Sequence, residues 1–502
     1  MRQRENDLRI EDLFKDLQVQ LPSHIKALIV TGLTTNSKEV RPGDIFVAIK
    51  GSQRDGHDYI QEATSLGAVA IVCNKDFPNE GKNLIKVEDT SKILPHLAKN
   101  LYQNPLKGMT VIGITGTNGK TTTSFLIESI LKTNGFKVAL IGTLGFRHDG
   151  VMKYTDLTTP DPLTLMKIFD ELRKKGITHV VMEVSSHSLA QRRVDAIRFD
   201  IAIFTNLSRD HLDYHKDMEE YFLSKRRLFE LLRTPSPHKQ AIINLDDPWG
   251  KRLLDMIPTG IVGYGIDPSK DIYPISYELK QSGIKSRIMT PVGEISCKSK
   301  LIGLHNLYNI MAATGCAYTL GITKEIIEKG IAKVQSVPGR LEPVSNDLGI
   351  HIFVDYAHTP DALEKVLSNI KTITSSRITL VFGCGGDRDR GKRPLMGKVG
   401  VQLADWVIIT SDNPRTEDPI SIVQEIEQGI KDLEAVKNPN YTVEIDRRRA
   451  IELALRNAKP GDVIIIAGKG HEDYQIIGNE KIHFSDKEVV IEVLDSLRKE
   501  GK

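Results

Sequence analysis

The feature that most constrains this chain is the hexapeptide Gly116-Thr117-Asn118-Gly119-Lys120-Thr121, set between an apolar β-rich run, Met109–Thr115, and a helical pattern. In that pattern Leu126/Ile130 and Ile127/Leu131 recur at i, i+4, and Asn134-Gly135 supplies the stop signal. Glycines let backbone N–H groups turn toward a phosphate, and the helix N-terminus adds partial positive charge. Lys120 would neutralise β- and γ-phosphates, and Thr121 would offer its hydroxyl to Mg²⁺. The strict pattern GxxxxGK(S/T) calls for glycine where Ile114 sits. Strand, glycines and helix in series nonetheless select a phosphate-binding loop over a bare turn.

The rest of the chain repeats the same grammar. Short apolar runs at Asp44–Ile49, Ala68–Cys73 and Leu84–Val87 alternate with helical stretches, and Arg41-Pro42-Gly43-Asp44 is a turn. Val138–Ile141, His179–Val184, Phe199–Phe204 and Gln240–Ile243 continue the alternation, as do Ile350–Val354, Ile378–Phe382, Trp406–Thr410, Tyr441–Ile445 and Val463–Ala467. Such alternation implies mostly parallel sheets covered by helices. At 502 residues the chain exceeds a single core. The expected fold class is α/β in three domains. These are a small N-terminal α/β domain (1–105), a central P-loop domain with a doubly wound, mostly parallel sheet (106–338), and a C-terminal Rossmann-like α/β domain (339–502). Val337-Pro338-Gly339-Arg340 reads as the linker before the last.

Composition excludes several classes. Lys+Arg 68 against Asp+Glu 65 gives a net charge of +3, so no overall field favours nucleic acid or an anionic membrane. The cysteines Cys73, Cys297, Cys316 and Cys384 lie far apart, with neither a disulfide framework nor zinc-finger spacing. No secretory signal and no apolar run of the roughly 18 residues a membrane helix needs is visible. The expectation is a reduced, cytoplasmic protein without membrane insertion.

Further polar clusters follow the apolar runs. Glu183-Val184-Ser185-Ser186-His187 ends a strand, where a carboxylate is placed to hold Mg²⁺ or is simply solvated. Thr205–His215 contains Asp210, His211, Asp213 and His215, which suit either a metal or a polar turn. Lys225 is, by spacing alone, one basic residue on a helix. Asp355–Pro360, Cys384–Pro394, Asp412–Arg415 and Gly468–Glu472 follow four successive strands, as loops do at the ligand-binding edge of an α/β sheet. Arg388 and Arg415 suit carboxylates, and Glu472 suits an ammonium, so a zwitterionic ligand is indicated.

Taken in order, Thr115–Thr121, Glu183–His187, Thr205–His215, Asn244–Asp247, Gly303-x-His305-Asn306-x-x-Asn309 and Asp355–Pro360 resemble the Mur ligase family over nearly the whole chain. Asn36-Ser37-Lys38, Arg41–Ala48 and Gly56-His57-x-Tyr59-Ile60 resemble its tripeptide synthetases, which add the third residue of the peptidoglycan stem peptide. The family more often has Asp-Ser-Arg where this chain has Asn36-Ser37-Lys38.

The resemblance implies ATP binding by Thr115, Gly116, Thr117, Asn118, Gly119, Lys120, Thr121 and Thr122, with Asn309 on adenine and Arg340 and Asp355 near the ribose. It assigns the UDP end of the substrate to the first domain, through Thr35, Ser37, Ser52, Gln53 and Arg54. The muramoyl-peptide falls to Thr158, Thr159, Ser185, Gln191 and Arg193. It makes Lys120, Glu183, His211 and Lys225 catalytic, and Thr121, Glu183, His211 and Lys225 ligands of Mg²⁺, with Lys225 carbamylated to N6-carboxylysine. Asp412-Asn413-Pro414-Arg415 matches ligases that add meso-diaminopimelate, so Arg388, Asp412, Asn413, Pro414, Arg415, Gly468 and Glu472 are expected to bind that amino acid.

The implied activity is ATP-dependent ligation of meso-diaminopimelate to UDP-N-acetylmuramoyl-L-alanyl-D-glutamate, by a monomer acting on small molecules, in peptidoglycan synthesis. The rivals are a lysine-adding synthetase and a P-loop ATPase that switches conformation without forming a bond.

Overall fold

The computed structural model describes residues 8–51, 54–78, 81–233, 240–257, 260–434 and 439–500, so Ser52 and Gln53 lie outside the described residues. The chain packs as two compact units. One comprises Met1–Thr115, Phe136–Ala202 and Ser224–Pro237; the other comprises Gly116–Gly135, Ile203–Leu223 and His238–Lys502.

In the first unit, Gly32–Thr34, Asp44–Val47, Ala70–Asn74 and Leu84–Val87 form a wholly parallel four-stranded sheet in sequence order. Alternate side chains feed opposite cores, as strand geometry demands. Ile45, Val47, Ala70 and Val72 enter one, while Phe46, Ala48, Ile71 and Cys73 enter the other.

An eight-stranded sheet runs in the order Ile261–Tyr264, Ala241–Asn244, Ile201–Phe204, Thr110–Thr115, His179–Glu183, Val138–Gly142, Gly145–His148, Val151–Lys153. His179–Glu183 pairs in parallel with both Thr110–Thr115 and Val138–Gly142. The last two strands are an antiparallel extension.

A six-stranded sheet in the second unit has the order Glu342–Val344, His351–Asp355, Val463–Ala467, Ile378–Phe382, Trp406–Ile409, Tyr441–Val443. Only its first strand is antiparallel. Leu380, Phe382, Val463 and Ile465 face helices Pro360–Ile373, Lys392–Leu403 and Pro419–Glu434. Val381, Ile464 and Ile466 face helices Arg447–Arg456 and Asp486–Lys499. The sheet is therefore doubly wound, and each such aliphatic side chain contributes about 1.5–3 kcal/mol by leaving water. Parallel register brings the C-terminal ends of its strands to one edge.

The structure departs from the sequence reading in two places. Tyr273–Lys280, Gly283–Thr290 and Gly293–Ser299 form an antiparallel three-stranded sheet that the reading passed over. The signal was the period-2 burial of Ile284, Ser286, Ile288 and Thr290 between turns at Gly283 and Gly293. The expected linker at Val337–Arg340 is instead a tight turn. Arg340 N donates to Val337 O at 3.0 Å, Gly339 N donates to the Glu342 carboxylate at 2.8 Å, and Val337 is fully buried.

Candidate active site

The phosphate loop lies within the second unit and is held from outside by the segment that follows strand Ile201–Phe204. Thr117 N donates to Asn206 O at 2.9 Å, and Asn118 N to Asn206 Oδ1 at 2.9 Å. Thr205 Oγ1 and Asn206 Nδ2 donate in return to Asn118 O, at 2.6 and 3.1 Å. Two glycines are sterically required. Gly116 has φ 147°, and a Cβ there would lie 1.9 Å from Thr205 Oγ1. Gly119 has φ 87°, and its Cβ would lie 2.4 Å from Asn309 Oδ1. Helix Lys120–Thr133 begins there with Gly119 as an N-cap that supplies no side chain, and it ends at Asn134-Gly135 as expected. Lys120 Nζ donates to the loop carbonyls of Gly116 and Thr117 at 2.8 and 2.9 Å.

Around this loop the unit gathers several expected residues. Asn309 accepts from Thr123 Oγ1 at 3.3 Å and donates to Asn306 Oδ1 at 2.9 Å. Arg340 Nη2 donates to Thr121 Oγ1 at 3.1 Å, its guanidinium lies 4.9 Å from the centre of the Tyr356 ring, and its buried Nε has no protein partner among the described residues. Asp355 turns inward, accepting from Leu341 N at 2.6 Å and Ala357 N at 2.8 Å, and burial raises its pKa above the ordinary carboxylate value. Its contribution is therefore to shape the turn that carries Arg340. His211 adopts φ 54°, and its Nε2 lies 3.5 Å from the Asp210 carboxylate. Burial opposes charge on Asp210, yet His211, His358 and Lys392 outweigh it and hold that carboxyl below its usual range.

The first unit collects a second group. Glu183 is fully buried at the end of its strand and accepts from Thr143 N at 3.1 Å and Thr143 Oγ1 at 3.0 Å. Thr143 Oγ1 lies 3.3 Å from Thr158 Oγ1. Thr159 Oγ1 donates to Glu183 O at 2.9 Å and accepts from Ser185 N at 3.0 Å, while Arg193 Nη1 donates to Thr159 O at 2.8 Å and Nε to Gln191 Oε1 at 3.0 Å. Thr158, Thr159, Glu183, Ser185, Gln191 and Arg193 thus converge. Thr143 was missed, although it directly follows a strand paired with His179–Glu183. Lys225 is 1% exposed in helix Met218–Glu230. Ser37 is buried, whereas Thr35 and Arg54 are exposed. Asn36 Oδ1 accepts from Lys38 N at 3.2 Å, capping the short turn Ser37–Glu39.

The loops at the C-terminal sheet edge form one hydrogen-bonded cluster. Gly386 N donates to Asn413 O at 2.9 Å, Asn413 Nδ2 to Glu472 Oε2 at 2.9 Å, and Gly468 N to Asp355 O at 3.1 Å. Pro414 lies beside Gly386, where an added Cβ would meet Pro414 O at 1.9 Å. Arg415 has φ 51°, costly for a residue with a side chain. It is pinned there by Arg415 N to Ile476 O at 3.0 Å and by Nη1 to Gly386 O at 2.7 Å, which uses one of its five N–H donors. Arg388 is exposed in the adjoining loop.

The reading missed two supports. Fully buried Lys469 donates to Glu472 at 3.1 Å, so that carboxylate already has a cationic partner. Fully buried Arg393 bridges Glu417 and Glu425 at 2.8 and 2.9 Å and reaches Gly385 O at 3.2 Å. Both lie in loops that the sequence marks, but only burial singles them out from their neighbours.

The chain is similar to known proteins over nearly its whole length. Residues 29–102 match the Mur ligase family catalytic domain, 114–317 the Mur ligase middle domain, and 339–470 the Mur ligase glutamate ligase domain. The chain is 45% identical to a UDP-N-acetylmuramoyl-L-alanyl-D-glutamate–2,6-diaminopimelate ligase of Geobacter metallireducens, covering 99% of this chain and 100% of the relative. A ligase of the same name from Geobacter sulfurreducens is 42% identical over 96% of this chain and 98% of its own. A solved structure of a ligase with the same name superposes with TM-score 0.71 at 33% identity, covering 98% of this chain and 100% of its own. A MurF ligase from Thermotoga maritima in complex with ADP shares the fold, with TM-score 0.61 at 22% identity, covering 94% of this chain and 98% of its own.

Proposed function

The chain belongs to the Mur ligase family, and from that premise we propose that it joins meso-2,6-diaminopimelate to the D-glutamate of UDP-N-acetylmuramoyl-L-alanyl-D-glutamate, using ATP, in peptidoglycan synthesis. The observation that carries this reading is the end-to-end likeness to ligases of that name. The strained, pinned Arg415 at the C-terminal sheet edge supports it chemically. Diaminopimelate has a distal carboxylate that lysine lacks. A guanidinium built for that group would be left unpaired by lysine, which costs selectivity against it.

The D-glutamate γ-carboxylate attacks the γ-phosphorus of ATP, and the bond to ADP breaks, giving an acyl phosphate. The neutral amine of diaminopimelate then attacks the acyl carbon, phosphate leaves, and the amine proton is lost as the amide forms. Lys120 offsets charge that develops on the transferred phosphoryl oxygens. In this reading the phosphates meet the helix N-terminus at Gly119–Thr121, while Asn206 holds Thr117 N and Asn118 N, and Asn309, beside Gly119, lines the nucleotide side. Thr158, Thr159, Ser185, Gln191 and Arg193 hold the muramoyl-peptide in this reading, and Ser37 with Thr35 and Arg54 the uridine diphosphate. Arg388, Asp412, Asn413, Pro414, Arg415, Gly468 and Glu472 take the amino acid.

The reading assigns Mg²⁺ to Thr121, Glu183, His211 and a carbamylated Lys225. The donor set is oxygen-rich, as a hard cation requires, and Lys225 is buried in its helix. When bound, the cation screens charge between the phosphates.

The proposal also takes 1–105, 106–338 and 339–502 as the UDP-binding, ATP-binding and amino-acid-binding domains of a cytoplasmic monomer. No helix among the described residues is long and apolar enough to cross a membrane, and all four cysteines are free and buried.

An amino-acid panel tests the whole reading. Phosphate release should require both the nucleotide-peptide and meso-diaminopimelate. Release with neither would leave a switch ATPase, and equal turnover with lysine would remove the specificity assigned to Arg415.

A further inference from the structure

Helix Pro360–Ile373 has two faces. Leu363, Val366, Leu367 and Ile370 pack on the C-terminal sheet. Asp361, Lys365 and Asn369, spaced i, i+4, i+8, form a polar stripe on the other side. That stripe makes contacts that no role assigned above uses. Asp361 Oδ2 accepts from Asn118 Nδ2 of the phosphate loop at 3.0 Å and from Ser208 Oγ at 2.7 Å, with Lys365 Nζ at 2.9 Å as its own-helix partner. Ser208 N in turn donates to Thr117 Oγ1 at 3.0 Å, and Ser208 lies three residues before His211. Two turns further along, Asn369 Oδ1 accepts from Leu304 N at 2.8 Å. Leu304 opens the helix that carries Asn309, and its N-cap, Gly303, has no side chain to do that job. Asn369 Nδ2 also lies 3.0 Å from His305 Nδ1.

One helix face therefore completes both elements that meet at the nucleotide. The backbone of Asn118 is satisfied by Thr205 and Asn206, but its amide group is satisfied by Asp361. The free N–H at the start of the Asn309 helix is satisfied by Asn369. Both acceptors sit on an element whose apolar face belongs to the amino-acid-binding sheet.

We propose that this stripe makes the working conformation of the phosphate loop conditional on the C-terminal sheet being docked, with Asp361 the positioning residue that acts on the nucleotide through Asn118 and Ser208. The inference rests on the ligase reading, in which phosphoryl transfer is useful only when the amino-acid site is in place.

A double-mutant cycle on the full-length enzyme tests it. Asp361→Ala should lower kcat/KM for ATP by about ten- to a hundredfold, the worth of a hydrogen bond to a charged group, and leave KM for diaminopimelate within about twofold. In an Asn118→Ala background the same change should cost less than about threefold, since the partner is already gone. Asp361→Glu, which keeps the carboxylate, should recover part of the loss. Ser208→Ala leaves the helix intact and should give a smaller drop in the same parameter, which keeps the proposal testable if Asp361→Ala fails to fold. ADP affinity by calorimetry needs no ligase product, and it should fall in Asp361→Ala. Failure of this inference is thus separable from failure of the parent enzyme in the amino-acid panel. Strict additivity in the cycle, or ATP parameters within twofold of the parent in Asp361→Ala or Ser208→Ala, would overturn it.

Discussion

The phosphate loop and the C-terminal sheet edge are both built after parallel strands, yet they are held in opposite ways. The loop is one contiguous hexapeptide whose glycines are dictated by a 1.9 Å and a 2.4 Å approach to Thr205 and Asn309. The sheet edge is assembled from segments around Asp355, Cys384, Asp412 and Gly468, and buried ion pairs keep them together. Arg393 ties the Gly385 loop to Glu417 and Glu425, and Arg447 pairs with Asp486 with both side chains fully buried while donating to Ala467 O at 2.9 Å, just before Gly468. A local site tolerates little change in its own residues. A dispersed site is governed by residues that never touch the ligand.

The largest expected effect attacks the local site. Lys120→Ala should cut phosphate release by about a thousandfold or more at unchanged thermal stability, because it removes transition-state charge compensation rather than packing. Lys225→Ala should be comparably inactive, and added short-chain carboxylic acids should restore part of the turnover. Absence of recovery would count against the carbamate.

Next comes the scaffold of the dispersed site. Asp486→Ala should destabilise the fold by about 3–5 kcal/mol in a denaturant titration, since it strands Arg447 in the interior. A loss below about 1 kcal/mol would show that the sheet edge does not depend on that pair. A smaller and more selective change is expected at the ligand itself. Arg415→Ala should raise KM for diaminopimelate about ten- to a hundredfold and leave KM for ATP unmoved. Equal changes in both would erase the distinction between the two regions.

The smallest effect concerns pH. Burial pushes His305 down to about 4 from its ordinary 6.5. The unfolded chain therefore takes up that proton first, so the stability His305 contributes is present above pH 6.5 and lost as pH falls toward 4. His305→Gln should flatten the decline in melting temperature across that window. An unchanged slope would place the acid sensitivity elsewhere.

Much of the molecule was legible in the order of residues. Ile378–Phe382 and Val463–Ala467 are strands with the expected bounds, because runs buried at every position are almost wholly apolar, and Leu84–Val87 keeps its expected bounds around one exposed lysine, Lys86. The three strands over 273–299 were harder to see, since they alternate apolar with charged residues and carry no continuous run. Among site residues, the Gly116–Thr121 loop and Ser185 lie in segments marked by their own pattern, whereas Thr158, Thr159, Gln191 and Arg193 are reached only through the family resemblance. Thr143, Asp361 and Arg447 lie in no marked segment, and Lys469 and Arg393 sit in marked loops without being singled out there, because an ordinary threonine, carboxylate or cation acquires its role only from what surrounds it.

The amino-acid order alone determined the chemistry of the phosphate loop. The φ of a glycine, the start of a helix and the charge of the lysine after it are all set within a few residues. Tertiary structure decided which carboxylate completes that loop, which cation is buried beside Glu472, and that the residue after Pro414 is held at φ 51°. Those outcomes depend on segments far apart in the chain meeting across a packed sheet, where burial fixes the partner of every polar group.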